Sequence, residues 1–229
     1  MVRLQDGWMY GTDTTLGADN GMGIALAMAL AEDTKSTHGP LELLFTSDEE
    51  IGLVGASKLE KCLQSKYLIN ADSEDFGEIC VSCAGGCRVT LEKTFKASPV
   101  DAGRFNAKIT INDYLGGHSG VEINLYRANA IKQLGKVLSQ LPDVRIVSID
   151  GGLAHNAIPA FCSAVISISK ASGDVQAMIK KGFEEVHEAF KPKEGKAKLE
   201  IQETEVKEAF SHADSMQILD VINALPHGP

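Results

Sequence analysis

The chain has 229 residues, 44% of them hydrophobic, with 22 Lys and Arg against 31 Asp and Glu, for a formal net charge of -9. That apolar content is enough for a packed core and excludes a globally disordered polypeptide. The acidic balance excludes a general nucleic-acid binder, which needs basic surface to meet phosphates. No run of about 18 uncharged apolar residues occurs, so no transmembrane helix and no membrane partner are expected. No apolar segment of the signal-peptide kind follows Met1–Asp6. Five cysteines, an odd number, do not make a disulfide framework and point to a reducing, cytoplasmic location.

In chain order, Gly21 to Ala31 reads as a helix that is apolar on nearly every side and should be well buried, with Asp19 placed to cap its start. Leu41 to Thr46, bounded by Gly39-Pro40 and by acids, reads as a buried strand, and Tyr67 to Ala71 as a second. Between them, Val54 to Leu63 has helical spacing with Lys58, Glu60 and Lys61 outward. Alternation of helix and strand predicts a mainly parallel sheet.

A second region opens near Cys87. Phe105 to Ile111, Val144 to Ile149 and Ala164 to Ile168 alternate with period two, and Ala197 to Ile201 is a further strand. Ile123 to Leu141 has helical periodicity and stops at Pro142; Val175 to Phe190 is a second amphipathic helix. This order predicts a ferredoxin-like α+β sandwich. Lys191 to Lys196 reads as a charged, solvated loop, and His212 to Leu225 as a last helix. The expected domains are 1–86 and 87–229.

The acids Asp19, Glu49, Glu50 and Asp72 stand beside apolar runs, in a region that also holds Glu74 and Asp75. Sites in open α/β sheets collect at the carboxyl ends of strands. Glu49 and Glu50 follow the expected strand ending at Thr46, Asp72 follows the one ending at Ala71, and Asp19 lies at a helix start. Carboxylates next to a core are costly unless neutralised, and a divalent metal pair would neutralise several at once. One of the adjacent acids could then hold a metal while the other accepts a proton from water. Each acid also has a plain reading, Asp19 as a helix cap and Glu49 and Glu50 as solvated charges; their joint occurrence at element ends is what favours a site.

Gly116-Gly117-His118-Ser119-Gly120 follows a strand and precedes a helix, with small residues that leave the imidazole reachable. It reads either as a ligand-facing His or as a glycine-rich turn. It is not the hydrolase nucleophile elbow, because Val121 occupies the position where that motif needs glycine. Cys80, Cys83 and Cys87 have the spacing of a short thiolate set, but no second pair accompanies them, and small apolar positions at a strand end account for them more simply. Asn156, before Ala157-Ile158-Pro159, is either a turn residue or an amide offered to a substrate. His38, before Gly39-Pro40, reads as a turn residue, and His155, His187, His212 and His227 show no metal-ligand spacing with one another.

Taken together, Thr14-Thr15-Leu16-Gly17-Ala18-Asp19-Asn20-Gly21, Asp48-Glu49-Glu50, Asp72-Ser73-Glu74, Cys83-Ala84-Gly85-Gly86, the Gly116–Gly120 run and Asn156-Ala157-Ile158-Pro159 closely resemble the M20 metallopeptidases, and among them the aminoacyl-histidine (Xaa-His) dipeptidases. The resemblance implies part of a zinc-peptidase α/β catalytic domain over 1–86, then a ferredoxin-like lid and dimerisation domain, incomplete, over 87–229. It implies a two-zinc site, with cobalt or manganese as other working ions, acting on a short peptide in a homodimer formed through the lid. Asp19 then corresponds to the carboxylate bridging the metals, Glu49 to the general acid/base, and Glu50 and Asp72 to ligands of one zinc each. His118 corresponds to the lid histidine that stabilises the tetrahedral intermediate, and Asn156 to a substrate contact. It also implies that the upstream His-x-Asp motif and a late His ligand lie outside this chain, so that each zinc lacks a nitrogen donor. The expectation is weak zinc binding and little peptidase activity of the chain alone. The rival expectation is a non-catalytic chain that self-associates through exposed strand edges.

Overall fold

The computed structural model describes residues 1–60, 63–73, 77–83 and 85–229. The chain divides into two compact units, Met1–Arg88 and Val89–Pro229.

The first unit opens on a hairpin that the sequence reading did not anticipate. Strands β1 (Val2–Gln5) and β2 (Trp8–Gly11) pair antiparallel from Val2↔Gly11 to Gln5↔Trp8. Asp6 and Gly7 make the two-residue turn, both at positive φ (52° and 81°). An Asp-Gly pair is the hairpin signal, because this turn needs left-handed backbone at both positions. Helix α1 (Ala18–Glu32) follows. Asp19 and Asn20 have non-helical backbone, and Asn20 Oδ1 accepts the Gly23 N–H at 2.7 Å. Asn20, rather than Asp19, thus caps the regular turns. Only Gly23 of α1 is buried, whereas Met22, Ile24, Leu26, Met28 and Leu30 are exposed. A helix apolar on all sides needs a partner on each, and the described residues of this unit do not supply them.

The strands expected at 41–46 and 67–71 are not formed. The hairpin is the sheet of this unit among the described residues. A strand is stabilised by its neighbours, and a parallel pair needs a crossover of a dozen or more residues, usually a helix. Here the intervening helix α2 runs only over Val54–Ser57. The two segments are tied instead by Glu42, whose carboxylate accepts from the backbone N–H groups of Gln64 and Ser65 (3.0 and 2.6 Å). Lys61 and Cys62, within the expected helix 54–63, and Glu74, Asp75 and Ala84 lie outside the described residues.

The second unit follows the alternation of its sequence. Strands β4 (Arg104–Asn112), β5 (Arg145–Gly151), β6 (Cys162–Ser169) and β7 (Lys198–Glu203) form an antiparallel sheet in the order β5-β6-β4-β7. A short ladder of β3 (Ser98–Pro99) with β8 (Glu208–Ala209) stands apart from it. With helices α3 (Ala130–Ser139) after β4 and α4 (Val175–His187) after β6, the order is strand-helix-strand twice over, the ferredoxin-like arrangement. Phe105, Ala107, Ile109 and Ile111 line one face of β4, and Ala164, Ile166 and Ile168 that of β6. They join one core with Leu134, Val137 and Leu138 of α3 and Ile179 and Phe183 of α4. Helix α6 (His212–Ala224) packs on α3 and β5 and adds Leu219.

The helix expected from Ile123 to Leu141 is shorter than its periodicity. Ile123–Leu125 is a 3-10 turn, Tyr126 sits at φ 54°, and Asn129 starts α3 by accepting the N–H groups of Ile131 and Lys132 (3.1 and 3.2 Å). A side-chain cap outcompetes apolar spacing at a helix start. Lys191–Lys196 is not a plain solvated loop: Lys191–Glu194 is a helical turn, α5, and Glu194 is only 2% exposed.

Ile109 is fully buried on the central strand, whereas Leu68 of the first unit is exposed. Replacing Ile109 by Ala should cost about 2–5 kcal/mol, and Leu68→Ala less than about 0.5 kcal/mol. Urea unfolding followed by circular dichroism measures both; equal costs would refute this placement of the core.

Candidate functional site

In the first unit, Glu49 and Glu50 lie in a tight turn. Glu49 O accepts the N–H groups of Gly52 and Leu53 (3.0 and 2.9 Å), and Ser47 O accepts that of Gly55 (3.0 Å). A Cβ on Gly55 would collide with the Ser47 backbone, so glycine permits this turn to close. Asp72 donates its N–H to Asn70 Oδ1 at 3.2 Å. The carboxylates of Asp19, Glu49, Glu50 and Asp72 are all exposed. Among the described residues no three His, Cys, Asp or Glu side chains gather closely enough to hold a metal ion. With oxygen donors alone and no gathered set, these residues as placed do not fit a two-zinc centre, which favours nitrogen or sulfur donors and a closed geometry.

Cys80, Cys83 and Cys87 are likewise exposed free thiols, and among the described residues they too form no metal-binding group. Cys162, by contrast, is buried at the start of β6, where burial and, next, the charge of Asp150 push its thiol up to about 12.

The second unit brings two of the expected residues together. Ile111 of β4 stands opposite Cys162 of β6, so the loop leaving β4 and the loop entering β6 depart from the same end of the sheet. They are zipped to each other: His118 bridges Ala157, Ser119 N–H donates to Asn156 O (2.8 Å), and Ile158 N–H donates to Gly117 O (2.7 Å). His118 and Asn156 therefore sit on adjoining strands of backbone, both exposed. His118 Nδ1 accepts the N–H groups of Gly120 (3.0 Å) and Val121 (3.3 Å). With Nδ1 occupied as an acceptor, a neutral ring carries its proton on Nε2, which is left as a donor.

Sequence reasoning missed what holds this loop. His118 N–H donates to Glu122 Oε2 (2.8 Å), and Glu122 Oε1 pairs with Arg127 Nη2 (2.7 Å). Arg127 Nη1 donates to Gly116 O (2.6 Å). The Glu122 carboxyl is held low first by the His118 backbone N–H and then by the charge of Arg127. Gly116 and Gly117 sit at φ 65° and 128°, and a Cβ on Gly117 would strike the Arg127 guanidinium and the Glu122 carboxylate. The double glycine is thus explained by backbone and space together. The glycines were visible in sequence; Glu122 and Arg127 carried no spacing that would mark them.

Beside His118 and Asn156 lies a groove of about 520 Å³, lined by Ser119, Ile123, Asn129, His155, Pro159 and His227 among others. His227, unassigned by the sequence reading, donates through Nε2 to Arg127 O (3.1 Å) and meets the Asn129 amide at Nδ1 (3.3 Å). The polar Ser119, Asn129, His155 and His227 alternate in the groove's lining with the apolar Ile123, Ile131 and Pro159, a mix that suits a small polar molecule.

Residues 109–195 match the family described as peptidase dimerisation domain, of the M20 type. The chain is 36% identical over 227 residues to the cytosol non-specific dipeptidase of Escherichia coli (strain K12), a match covering 96% of this chain and 47% of that protein. The crystal structure of aminoacylhistidine dipeptidase from Vibrio alginolyticus superposes with a TM-score of 0.71 at 28% identity, covering 99% of this chain and 48% of that one. Residues 109–195 thus carry an M20-type peptidase dimerisation domain, and the chain as a whole is similar to these dipeptidases. It spans about half the length of these two relatives. The M20 dimerisation match falls on β4 through α5, the part of the second unit that carries both loops of the groove. No helix among the described residues is long and apolar enough to cross a membrane.

Thiol reactivity checks the contrast among the cysteines. At pH 8 a disulfide reagent should modify Cys80, Cys83 and Cys87 rapidly and leave Cys162 untouched until urea unfolds the chain, since the thiolate is the attacking species. Labelling of native Cys162 at the rate of the exposed thiols would contradict its burial.

Proposed function

We propose that this chain is the acid- and lid-bearing part of an M20 dipeptidase. The observation that carries the reading is the zipped pair of loops: it brings His118 and Asn156 together, next to Ser119, His155 and Ala157 that line a groove. In this reading His118 donates to the oxygen of a peptide carbonyl as negative charge develops there, and Asn156 orients the peptide. Glu49 is the proposed proton acceptor, and Asp19, Glu50 and Asp72 the carboxylate share of a two-zinc ligand set. Because these acids are exposed and ungathered here, the set needs nitrogen donors and a closing of the turns that carry them. Domains 1–86 and 87–229 are proposed as catalytic and lid parts.

The proposed substrates are dipeptides, with Xaa-His among them, in keeping with the names of both relatives. The proposed assembly is a homodimer formed through the second unit, supported by the dimerisation-domain match. A cytoplasmic setting is proposed from the cytosolic relative.

Two measurements test this. Zinc titrated calorimetrically into the chain should bind with micromolar or weaker affinity, because oxygen donors alone hold zinc poorly; nanomolar binding would show that a complete site is present. A chimera in which this chain replaces the matching half of the Escherichia coli dipeptidase should hydrolyse dipeptides, and Glu49→Gln in it should lower kcat by about 100-fold or more. A folded, zinc-loaded chimera without turnover, or one indifferent to Glu49→Gln, would overturn the assignment.

A further inference from the structure

Glu194 is the most deeply buried acid of the second unit, at 2% exposure, and no cation pairs with it among the described residues. Burying a carboxylate is costly unless hydrogen bonds compensate. Here both oxygens are used: Oε2 accepts the Leu115 N–H (2.8 Å) and Oε1 the Ala128 N–H (3.0 Å). Those two amides are the two ends of the loop that carries His118, and neither belongs to a ladder or a helix. One side chain therefore closes the loop at its base.

The closure connects directly to the imidazole. Ala128 adjoins Arg127, which holds Gly116 O and the Glu122 carboxylate, and Glu122 holds the His118 N–H. A second tie comes from the same helical turn: Lys193 Nζ donates to Leu125 O at 3.0 Å. Helix α5 thus grips the 115–128 loop at its base and again at Leu125, just before Ala128. Around the carboxylate stand Tyr114 and His187, joined through the phenol and Nδ1 at 3.3 Å, with the His187 ring stacked on Phe183 at 5.1 Å.

We propose that Glu194 is a positioning residue for His118, its buried carboxylate fixing the loop in the form that keeps His118 Nδ1 an acceptor and Nε2–H a donor. The proposal rests on the reading of His118 as the loop's functional donor, but its test needs no peptide and no metal. A glutamine at 194 could accept only one of the two amides and would set its own NH2 group against the other. A hydrogen bond to a charged group contributes about 1.5–3 kcal/mol, which corresponds to a change of about 10- to 100-fold in opening.

The experiment is nitrogen-15 NMR on the 229-residue chain, reading amide exchange and the imidazole tautomer of His118. In the natural sequence, the Leu115 and Ala128 amides should be strongly protected relative to the exposed Leu153 amide, and His118 should show a single Nε2–H form. Glu194→Gln should speed exchange at Leu115 or Ala128 about 10-fold or more and convert His118 to a mixture of tautomers. The Ile109 and Ile166 amides of the β4–β6 ladder should stay protected. Retained protection in the variant, or an unchanged His118 tautomer after the loop has opened, overturns the proposal. If the variant unfolds, the natural chain and Lys193→Ala decide: Leu115 and Ala128 exchanging as fast as Leu153, or mixed His118 tautomers in Lys193→Ala while those two amides stay protected, overturns it, and protected amides with a single Nε2–H form there uphold it. A chimera without peptidase activity would sink the dipeptidase reading and leave these NMR results standing.

Discussion

The apolar face shared by β4 and β6 is the constraint from which the rest of the second unit follows. Phe105, Ala107, Ile109 and Ile111 on one strand and Ala164, Ile166 and Ile168 on the other leave water together when α3 and α4 cover them. Because side chains alternate along a strand, a slip of one residue would turn this set to solvent, so burial fixes the register. The register in turn sets Ile111 against Cys162 and sends two long loops out of the same end of the sheet. Their pairing through Gly117, His118, Asn156 and Ile158 is a consequence of that placement, as is the groove beside them.

Buried charge in this unit is stabilised mostly by backbone. Glu194 receives two N–H groups. Arg145 donates to the carbonyls of Ser98, Pro99, Ala209 and Phe210, fastening the β3–β8 ladder beside β5. Arg104 combines an ion pair to Asp143 (2.7 Å) with the carbonyls of Asp143 and Ser167. A charged side chain that reaches two main-chain groups satisfies both at once.

The first unit shows the opposite balance. Its hairpin is local and needs only a two-residue turn, and its acids stand in turns whose hydrogen bonds are also local. The apolar segments around Tyr67, Ile69, Ile79 and Val81 are exposed. Strand-forming composition does not make a strand without a neighbour to receive its backbone groups. The same reason separates the acids: Asp19, Glu50 and Asp72 would be drawn to one rim only by a sheet that aligns the segments before them.

Period-two alternation at 105–111, 144–149 and 164–168, and amphipathic spacing at 175–190, determined the ferredoxin-like order from sequence alone, because each pattern reports one face of a locally regular element. The family motifs likewise marked His118 and Asn156 as residues of interest. The start of α3 at Asn129, the helical turn hidden in Lys191–Lys196, and the roles of Glu122, Arg127 and Glu194 were decided by the tertiary structure. A hydrogen bond between Glu194 and Leu115, 79 residues apart, has no period to reveal it; it exists only once the sheet has brought the two together.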